Sequence, residues 1–535
     1  MKDIGKKNDI QILVKIRQKG GFTEACVNIT CPKGMRLLEA LQKREIFLPA
    51  YCGGIGACGK CRVRLRKGSL PVTAEDRLIF SQKELDNGMR LACKAIVQEN
   101  IEIFIENVEE KFWAVAAGEA EGKKQKITHD GRPQDFGIAV DIGTTTLAFS
   151  LIEMQSGNIV DSNTRVNSQR KFGADVISRI QASNDGKKAE LMNCIKQDLL
   201  GGVEQFVKQN LSQGQRVRKI VIAGNTVMLH LLRGYSCEGF CRYPFEPEML
   251  DLEELEFESV FGKSLLQIQQ AEVTLLPGIS AFVGADITAG LLSCNILEKG
   301  RTSLFLDLGT NGEMALCAGG RIAVASAAAG PVFEGGTILW GTGSIAGAIS
   351  KVRICQNHCE IQTIGKKPPI GICGTGVIEA AAELLLSGLM DKTGKLTEPF
   401  FSDGYPLAQT DFGEWIIFTQ KDIREPQMAK AAIRSGIEIL LLHMGIRYAE
   451  IDNVYLAGGF GYFLDAAKAA AIGLLPKEWL SKTKAVGNTS LKGALSYLVN
   501  QDKKSLQKIM ECAEEISLAN DEYFGELYYK NIDFS

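Results

Sequence analysis

The chain contains no run approaching the ~20 consecutive apolar residues that a membrane-spanning helix requires, so no membrane partner is expected. It lacks a charge excess as well: 61 Lys+Arg against 63 Asp+Glu leave a formal charge of -2. That balance excludes a chain-wide basic footprint of the kind that holds nucleic acid, and leaves room only for local patches. The opening residues MKDIGKKNDI are charged and lead into no apolar stretch of signal-peptide type, which points to the cytoplasm. Histidine is scarce. His129, His230, His358 and His443 share no ligand spacing, and none is expected to act as a base or a metal ligand. What is present is ordinary for a globular protein: 535 residues, 45% hydrophobic and 23% charged, enough for three or four folding units at about 150 residues each. The 15 cysteines are the exception, and in a reducing compartment clustered ones read first as metal or iron–sulfur ligands.

The first hundred residues alternate at Ile10, Ile12, Val14 and Ile16 and again at Ile101, Ile103 and Ile105, the period of half-buried strands. A helical segment near Arg36 to Arg44 lies between them, so a mixed sheet with one packed helix is expected over 1–107. Periodicity is lost over 108–135, where charged and small residues accumulate as in a linker. Beyond it, GIAVDIG, RKIVIAGN, TSLFLDLGT and NVYLAGGF read as strands that each close on a glycine turn, with helical patterns such as PQMAKAAIRSGIEILLLHM between them. This is an α/β architecture, with ligands expected at the carboxyl ends of the strands. DIGTTT at Asp141 and DLGTNG at Asp307 echo one another and suggest two related lobes, over 136–300 and 301–535, with 136–215 a candidate separate domain.

Cys52, Cys58 and Cys61 are spaced C-x5-C-x2-C, and Cys93 offers a fourth thiolate. Four thiolates can ligate a 2Fe–2S cluster, and a close triplet with one remote partner is similar to the plant-type arrangement with one residue added to the first gap. Gly53, Gly54, Gly56 and Gly59 interleave the ligands, as a loop requiring positive φ and close backbone approach would need. A structural zinc site, a disulfide or inert thiols are the competing readings; zinc sites usually show two C-x2-C arms, and here only Cys58 and Cys61 form one. Cys26 and Cys31 fit no ligand spacing and are expected in the core, and the other nine cysteines behave as small hydrophobes.

Asp141-Ile142-Gly143-Thr144-Thr145-Thr146 follows an apolar strand and gathers a carboxylate, a glycine turn, amides and hydroxyls at one edge. Such a loop can cradle phosphate and a hydrated Mg2+ ion, or be a tight turn and nothing more. Asp307-Leu308-Gly309-Thr310-Asn311-Gly312-Glu313 repeats the chemistry, and Ala457-Gly458-Gly459-Phe460-Gly461 supplies a third turn that lets backbone approach a flat base. In order and spacing the three loops resemble the superfamily of sugar and acetate kinases, actin and heat-shock chaperone ATPases, in which the first two clamp phosphates and the third holds adenosine.

Together with the cysteine loop, these features and NSQRKFGADVISRI from Asn167, AGNTVMLHLLRG from Ala223, LLPGISAFVGADITAG from Leu275, AAAGPVFEGG from Ala327 and GICGTG from Gly371 resemble the reductive activators of corrinoid-dependent enzymes. The resemblance implies a β-grasp ferredoxin-like domain, a flexible linker and a two-lobed actin-like ATPase. It implies ATP-driven delivery of one electron from a 2Fe–2S cluster to a corrinoid protein, Co(II) becoming Co(I). The partner would be a methyltransferase system or a corrinoid iron–sulfur protein, alongside a cellular electron donor, and the chain would be a homodimer. Cluster ligands would be Cys52, Cys58, Cys61 and Cys93. Asp141 and Asp307 would position Mg2+ and water, with Gly143, Thr144, Thr145, Thr146, Gly309, Thr310 and Asn311 on the phosphates and Gly458 and Gly459 at the nucleoside. Glu313, Glu334 and Asp286 are polar accessories with equally good surface or capping roles. GNTSLKGA from Gly487 departs from the resemblance, with Thr489, Ser490 and Lys492 where small apolar residues are usual. A small-molecule kinase of the same fold with a fused redox sensor, or a nucleotide-gated binding module, are the rival readings.

Overall fold

The computed structural model describes residues 9–17, 24–44, 46, 48, 54, 56, 59–105 and 135–534, other than 174, 213, 356, 357 and 412. Cys52 and Cys58, and the expected linker as far as residue 134, lie outside the described residues. Contacts divide the chain into two compact units: Met1–Phe112 with Ser168–Ala182, and Trp113–Asn167 with Ser183–Ser535.

The first unit holds strands β1 (Asp9–Arg17), β2 (Glu24–Pro32), β3 (Arg62–Lys67), β4 (Met89–Leu91) and β5 (Ile101–Ile105), in the sheet order β2-β1-β5-β3-β4. β1 runs antiparallel to β2 and parallel to β5, the β-grasp arrangement. Ile10, Ile12 and Val14 bury the face that alternation marks, and helix Leu37–Gln42 adds Leu37, Leu38 and Leu41 to the same core. β5 lies between β1 and β3 and is buried throughout, Glu102 included; its carboxylate is flanked by Lys15 at 2.9 Å and Lys67 at 3.1 Å. Asp76 ties the unit together around the cysteines. One of its oxygens caps helix Ala74–Ile79 at Thr73 and the other accepts the Leu91 N–H at 2.8 Å. Cys31 is buried as expected, but Cys26 is exposed. In β2 the inward positions are Val27, Ile29 and Cys31, so Cys26 is out of phase and shares the outer face with Asn28 and Thr30.

The second unit carries two six-stranded sheets built alike. The first contains β6 (Asp135–Ile142), β7 (Thr146–Glu153), β8 (Ile159–Val166), β9 (Arg216–Gly224), β10 (Glu253–Glu256) and β11 (Glu272–Leu275), in the order β10-β11-β9-β6-β7-β8. β6, β7 and β8 form an antiparallel meander, and β9 and β11 continue parallel to β6. The second sheet repeats this. Its meander is β12 (Ser303–Leu308), β13 (Gly312–Ala318) and β14 (Arg321–Ala327), and after an inserted sheet of β15 (Ala348–Cys355), β16 (His358–Thr363) and β17 (Gly371–Ile372) and a hairpin of β18 (Tyr405–Gln409) and β19 (Trp415–Phe418), the parallel neighbours are β20 (Asn453–Ala457) and β21 (Thr483–Gly487). The last strand, β22 (Ala513–Glu515), pairs beyond β14. The two-lobed, actin-like architecture is thus present down to its register: Asp141 on β6 pairs with Ala223 of β9, and Asp307 on β12 pairs with Ala457 of β20.

Two helices link the halves. Helix Ala285–Ser293 follows the first sheet yet puts Ile287 and Leu291 against Phe305, Ala315 and Cys317 of the second. Helix Thr489–Asn500 follows the second sheet and packs Ala494, Tyr497 and Leu498 against Ala139, Ala148 and Val221 of the first. Where they meet, a Cβ on Gly493 would lie 2.0 Å from Ala289 O, so this crossing excludes any larger residue.

Candidate functional site

In the first unit, Cys61 immediately precedes β3 and Cys93 follows β4, both almost wholly buried. The Ala92 N–H donates to Cys61 O at 2.8 Å, and Leu38 N–H to Ala92 O at 3.0 Å, which fixes the two thiol segments to each other and to the packed helix. Gly54, Gly56 and Gly59 all hold positive φ, between +67° and +91°. A Cβ on Gly56 would meet Lys94 Cε at 2.7 Å, one on Gly59 would meet Ile79 Cγ2 at 2.7 Å, and one on Gly54 would stand 3.8 Å from the Cys93 Cβ. Positive φ at all three positions, and the close approaches at Gly56 and Gly59, are what require glycine here, while Gly54 rests in ordinary contact with Cys93. Lys94 pairs with Glu75 at 2.8 Å, and Arg62 Nε donates to Gly59 O at 2.8 Å, anchoring the loop's exit. Two desolvated thiols under a glycine wrap are a donor set that suits an iron–sulfur cluster.

The second unit concentrates carboxylates. Asp141 and Asp307 occupy matching positions near the ends of β6 and β12, partly accessible but set deep. Burial, and then the charges of Asp286 and Asp141, push Asp307 up to about 7. Burial and then Asp141 push Asp286 up to about 7, and burial with Asp286 and Asp307 raises Glu313 well above the carboxylate range. Asp141 is also raised by burial, but two donors oppose the effect: Ser490 Oγ at 2.7 Å from Oδ1 and Asn488 Nδ2 at 2.8 Å from Oδ2. Asp286 and Glu313, ambiguous in the sequence, belong to this group.

The loops around it are ordered by their own backbones. Gly143 N–H donates to Thr146 O at 3.0 Å, closing the β6–β7 turn that carries Thr144 and Thr145, and a Cβ on Gly143 would strike Thr146 O at 2.5 Å. Asn167 Nδ2 donates to Gly143 O at 3.0 Å, and Asn225 Nδ2 to Thr144 Oγ1 at 3.3 Å. Opposite, Gly309 N–H donates to Asn311 O at 2.8 Å, Thr310 Oγ1 donates to Glu334 Oε1, and the Asn311 side chain bonds Glu313. Gly458 (φ +80°) abuts Asp307, and Gly459 is exposed in the first turn of helix Gly458–Phe463. Asn225 and Asn488 escaped the sequence reading, and Ser490 stood out there only as a departure from a small apolar pattern. The signal was present: Asn225 and Asn488 each follow a strand-ending glycine and cap the next helix, by accepting from Met228 N–H and Leu491 N–H.

Comparison with known proteins identifies these parts. Residues 301–535 match the family model described as the C-terminal domain of RACo, the ASKHA domain, 136–299 match the RACo middle region, and 24–98 match the 2Fe–2S iron–sulfur cluster binding domain. Corrinoid activation enzyme RamQ of Eubacterium limosum is 32% identical over 421 residues, 75% of this chain and 70% of its own. The chain belongs to the family of reductive activators of corrinoid-dependent enzymes. The [Co(II) methylated amine-specific corrinoid protein] reductase of Methanosarcina barkeri is 27% identical to this activator over 436 residues, 75% of this chain and 77% of that one. A solved reductive activator for corrinoid, iron–sulfur protein superposes with a TM-score of 0.66 at 25% identity, covering 98% of both chains. The activator thus combines a 2Fe–2S domain with a nucleotide-binding ASKHA region. No helix among its described residues is long and apolar enough to cross a membrane.

Proposed function

We propose that this activator uses ATP hydrolysis to drive one electron onto the cobalt of a corrinoid protein in the cytoplasm, converting Co(II) to Co(I). The observation that carries the reading is the presence, in one chain, of a buried thiol pair on a β-grasp sheet and a carboxylate recess in a duplicated ATPase fold. The names of its relatives, a corrinoid activation enzyme and a Co(II) corrinoid protein reductase, support the same chemistry.

Cys52, Cys58, Cys61 and Cys93 would hold the 2Fe–2S group, which when bound supplies a one-electron carrier of low potential. Each ~59 mV uphill costs a one-electron transfer a factor of ten, so an acceptor more negative than the carrier requires coupling to ATP. Asp141 and Asp307 position water and Mg2+. Burial and neighbouring carboxylates make ionisation of Asp286 and Glu313 costly, a cost that a divalent cation would relieve. Mg2+ keeps most of its waters and needs only one or two carboxylates beside phosphate oxygens, so a site of this kind does not call for a complete protein cage. Among the described residues no three His, Cys, Asp or Glu form one. Gly143, Thr144, Thr145, Thr146, Gly309, Thr310 and Asn311 receive the phosphates, and Gly458 with Gly459 the nucleoside. Nucleotide can rearrange the lobes only by binding one arrangement more tightly than another. A linker over 108–135 would let the ferredoxin-like domain alternate between a cellular electron donor and the corrinoid partner, within a homodimer.

The test is anaerobic. Protein, reductant and a Co(II) corrinoid protein are mixed, and the visible spectrum is followed with and without Mg-ATP. Co(I) that accumulates only with ATP, and not with Cys61→Ala, is the expected result. ATP consumed with no change at cobalt for any corrinoid partner would turn the reading to the small-molecule kinase.

A further inference from the structure

We infer that Asn488 and Ser490 are positioning residues for Asp141, which hold its carboxylate toward the nucleotide recess and tie its orientation to the point where the chain passes between the two lobes. The inference rests on the nucleotide reading above and adds residues to it.

The geometry is specific. Each oxygen of Asp141 receives one donor, Ser490 Oγ on Oδ1 at 2.7 Å and Asn488 Nδ2 on Oδ2 at 2.8 Å, so the carboxylate cannot turn about its own bond without losing both. The Asn488 amide is itself oriented, because its Oδ1 accepts the Leu491 N–H at 2.8 Å and leaves only the nitrogen to face Asp141. Ser490 is buried in the first turn of helix Thr489–Asn500. Between these two residues Thr489 points elsewhere, toward the crossing at Gly290, and its buried hydroxyl makes no hydrogen bond. Two of three successive side chains are thus committed to one carboxylate almost 350 residues away in sequence. They stand where the chain leaves β21 at Gly487 (φ +72°) for a helix packed on the first sheet, so the second lobe's chain enters the first beside Asp141 and delivers both donors to it there. In the other half the second residue of the equivalent helix is Asp286, a carboxylate, so the donor pair belongs to one lobe alone. Filling space would require no hydroxyl at 490. Hydrogen bonds to a charged group do.

The experiment uses the full chain as wild type, Ser490→Ala and Ser490→Thr, and measures Mg-ATP turnover, binding of a non-hydrolysable ATP analogue by calorimetry, and thermal midpoint. Losing one charge-assisted hydrogen bond should lower turnover roughly ten- to a hundred-fold, while analogue affinity stays within about twofold, and Ser490→Thr should restore turnover. Wild-type turnover in Ser490→Ala would overturn the inference. So would a loss of analogue binding and thermal midpoint in step with turnover, since that marks a structural role. If Ser490→Ala fails to fold, Asn488→Ser, which keeps a helix-capping hydroxyl but cannot reach Asp141, is held to the same criteria. A wild-type chain that neither binds the analogue nor hydrolyses ATP would overturn the nucleotide reading itself, and this inference with it.

Discussion

Gly458 stands directly behind the Asp307 carboxylate: a Cβ added at 458 would lie 2.4 Å from Asp307 Oδ1. With φ at +80°, the position is also one that side chains resist, at about 1–3 kcal/mol. Gly458→Ala should therefore displace Asp307, and ATP turnover should fall at least about tenfold, for a carboxylate shifted even by ~1 Å no longer presents its oxygens correctly. A steady-state assay checks this, with the visible absorbance of the iron–sulfur domain as the internal control for an intact first unit.

Glu313 faces Asp286 and Asp307 in the recess and is held far above its ordinary range by burial first and by those two charges next. Glu313→Gln removes a carboxyl that the fold accommodates poorly without a cation. The nucleotide-free protein should melt about 2–4 °C higher, and the stabilisation given by added Mg-ATP should shrink. A lower melting temperature in the variant would show that Glu313 serves packing rather than charge.

Cysteine substitutions should separate by burial within the first unit. Cys93→Ser, at a buried site under the Gly54 turn, should abolish the visible absorbance and iron content of purified protein. Cys26→Ser, on the outer face of β2, should leave both unchanged. Bleaching by Cys26→Ser would mean that the ligand set is drawn from another combination of thiols.

A buried cation at the other end of the chain gives a pH test. Lys430 is almost wholly buried, and burial first, then the neighbouring Arg434, lower it to about 8. Its Nζ donates to Asp533 O at 2.5 Å and lies over the Phe534 ring at 5.9 Å, clasping the C-terminal segment onto helix Gln420–Met444. Unfolded lysine titrates near 10.4, so between about 8 and about 10.4 the folded chain binds fewer protons than the unfolded one. The Lys430 contribution to stability consequently rises with pH through that window and is least below about 8. The thermal midpoint of the wild type relative to Lys430→Met should climb from pH 8 to 10, and a constant difference would sink the assignment.

Much of this was legible because it is local. Alternation at Ile10, Ile12 and Val14 marks a strand from its own residues, and the C-x5-C-x2-C loop with its glycines carries its chemistry within ten positions. The echo between Asp141 and Asp307 is likewise a short motif written twice, and the structure repeats it in the register of both sheets. Side-chain partnerships set by the tertiary path were not legible. Asn488 and Ser490 lie in a loop that departs from the small apolar pattern, and nothing near them in sequence indicates that the departure faces Asp141. Asp286 and Glu313 look like capping or surface residues until β12, β13 and the crossing helix bring them to one recess. Cys26 was misjudged for a smaller reason, a shift of one residue in the alternation of β2.

The pairing of Ser490 with Asp141 in one half, against Asp286 beside Asp307 in the other, has a consequence of its own. Two copies of one fold facing each other would present a ligand with mirror-like ends and no reason to prefer either. Here one end is satisfied by neutral donors and the other is starved of positive charge. A cation-bearing polyphosphate entering such a site has a head and a tail before any chemistry begins, so the duplicated fold carries an arrow.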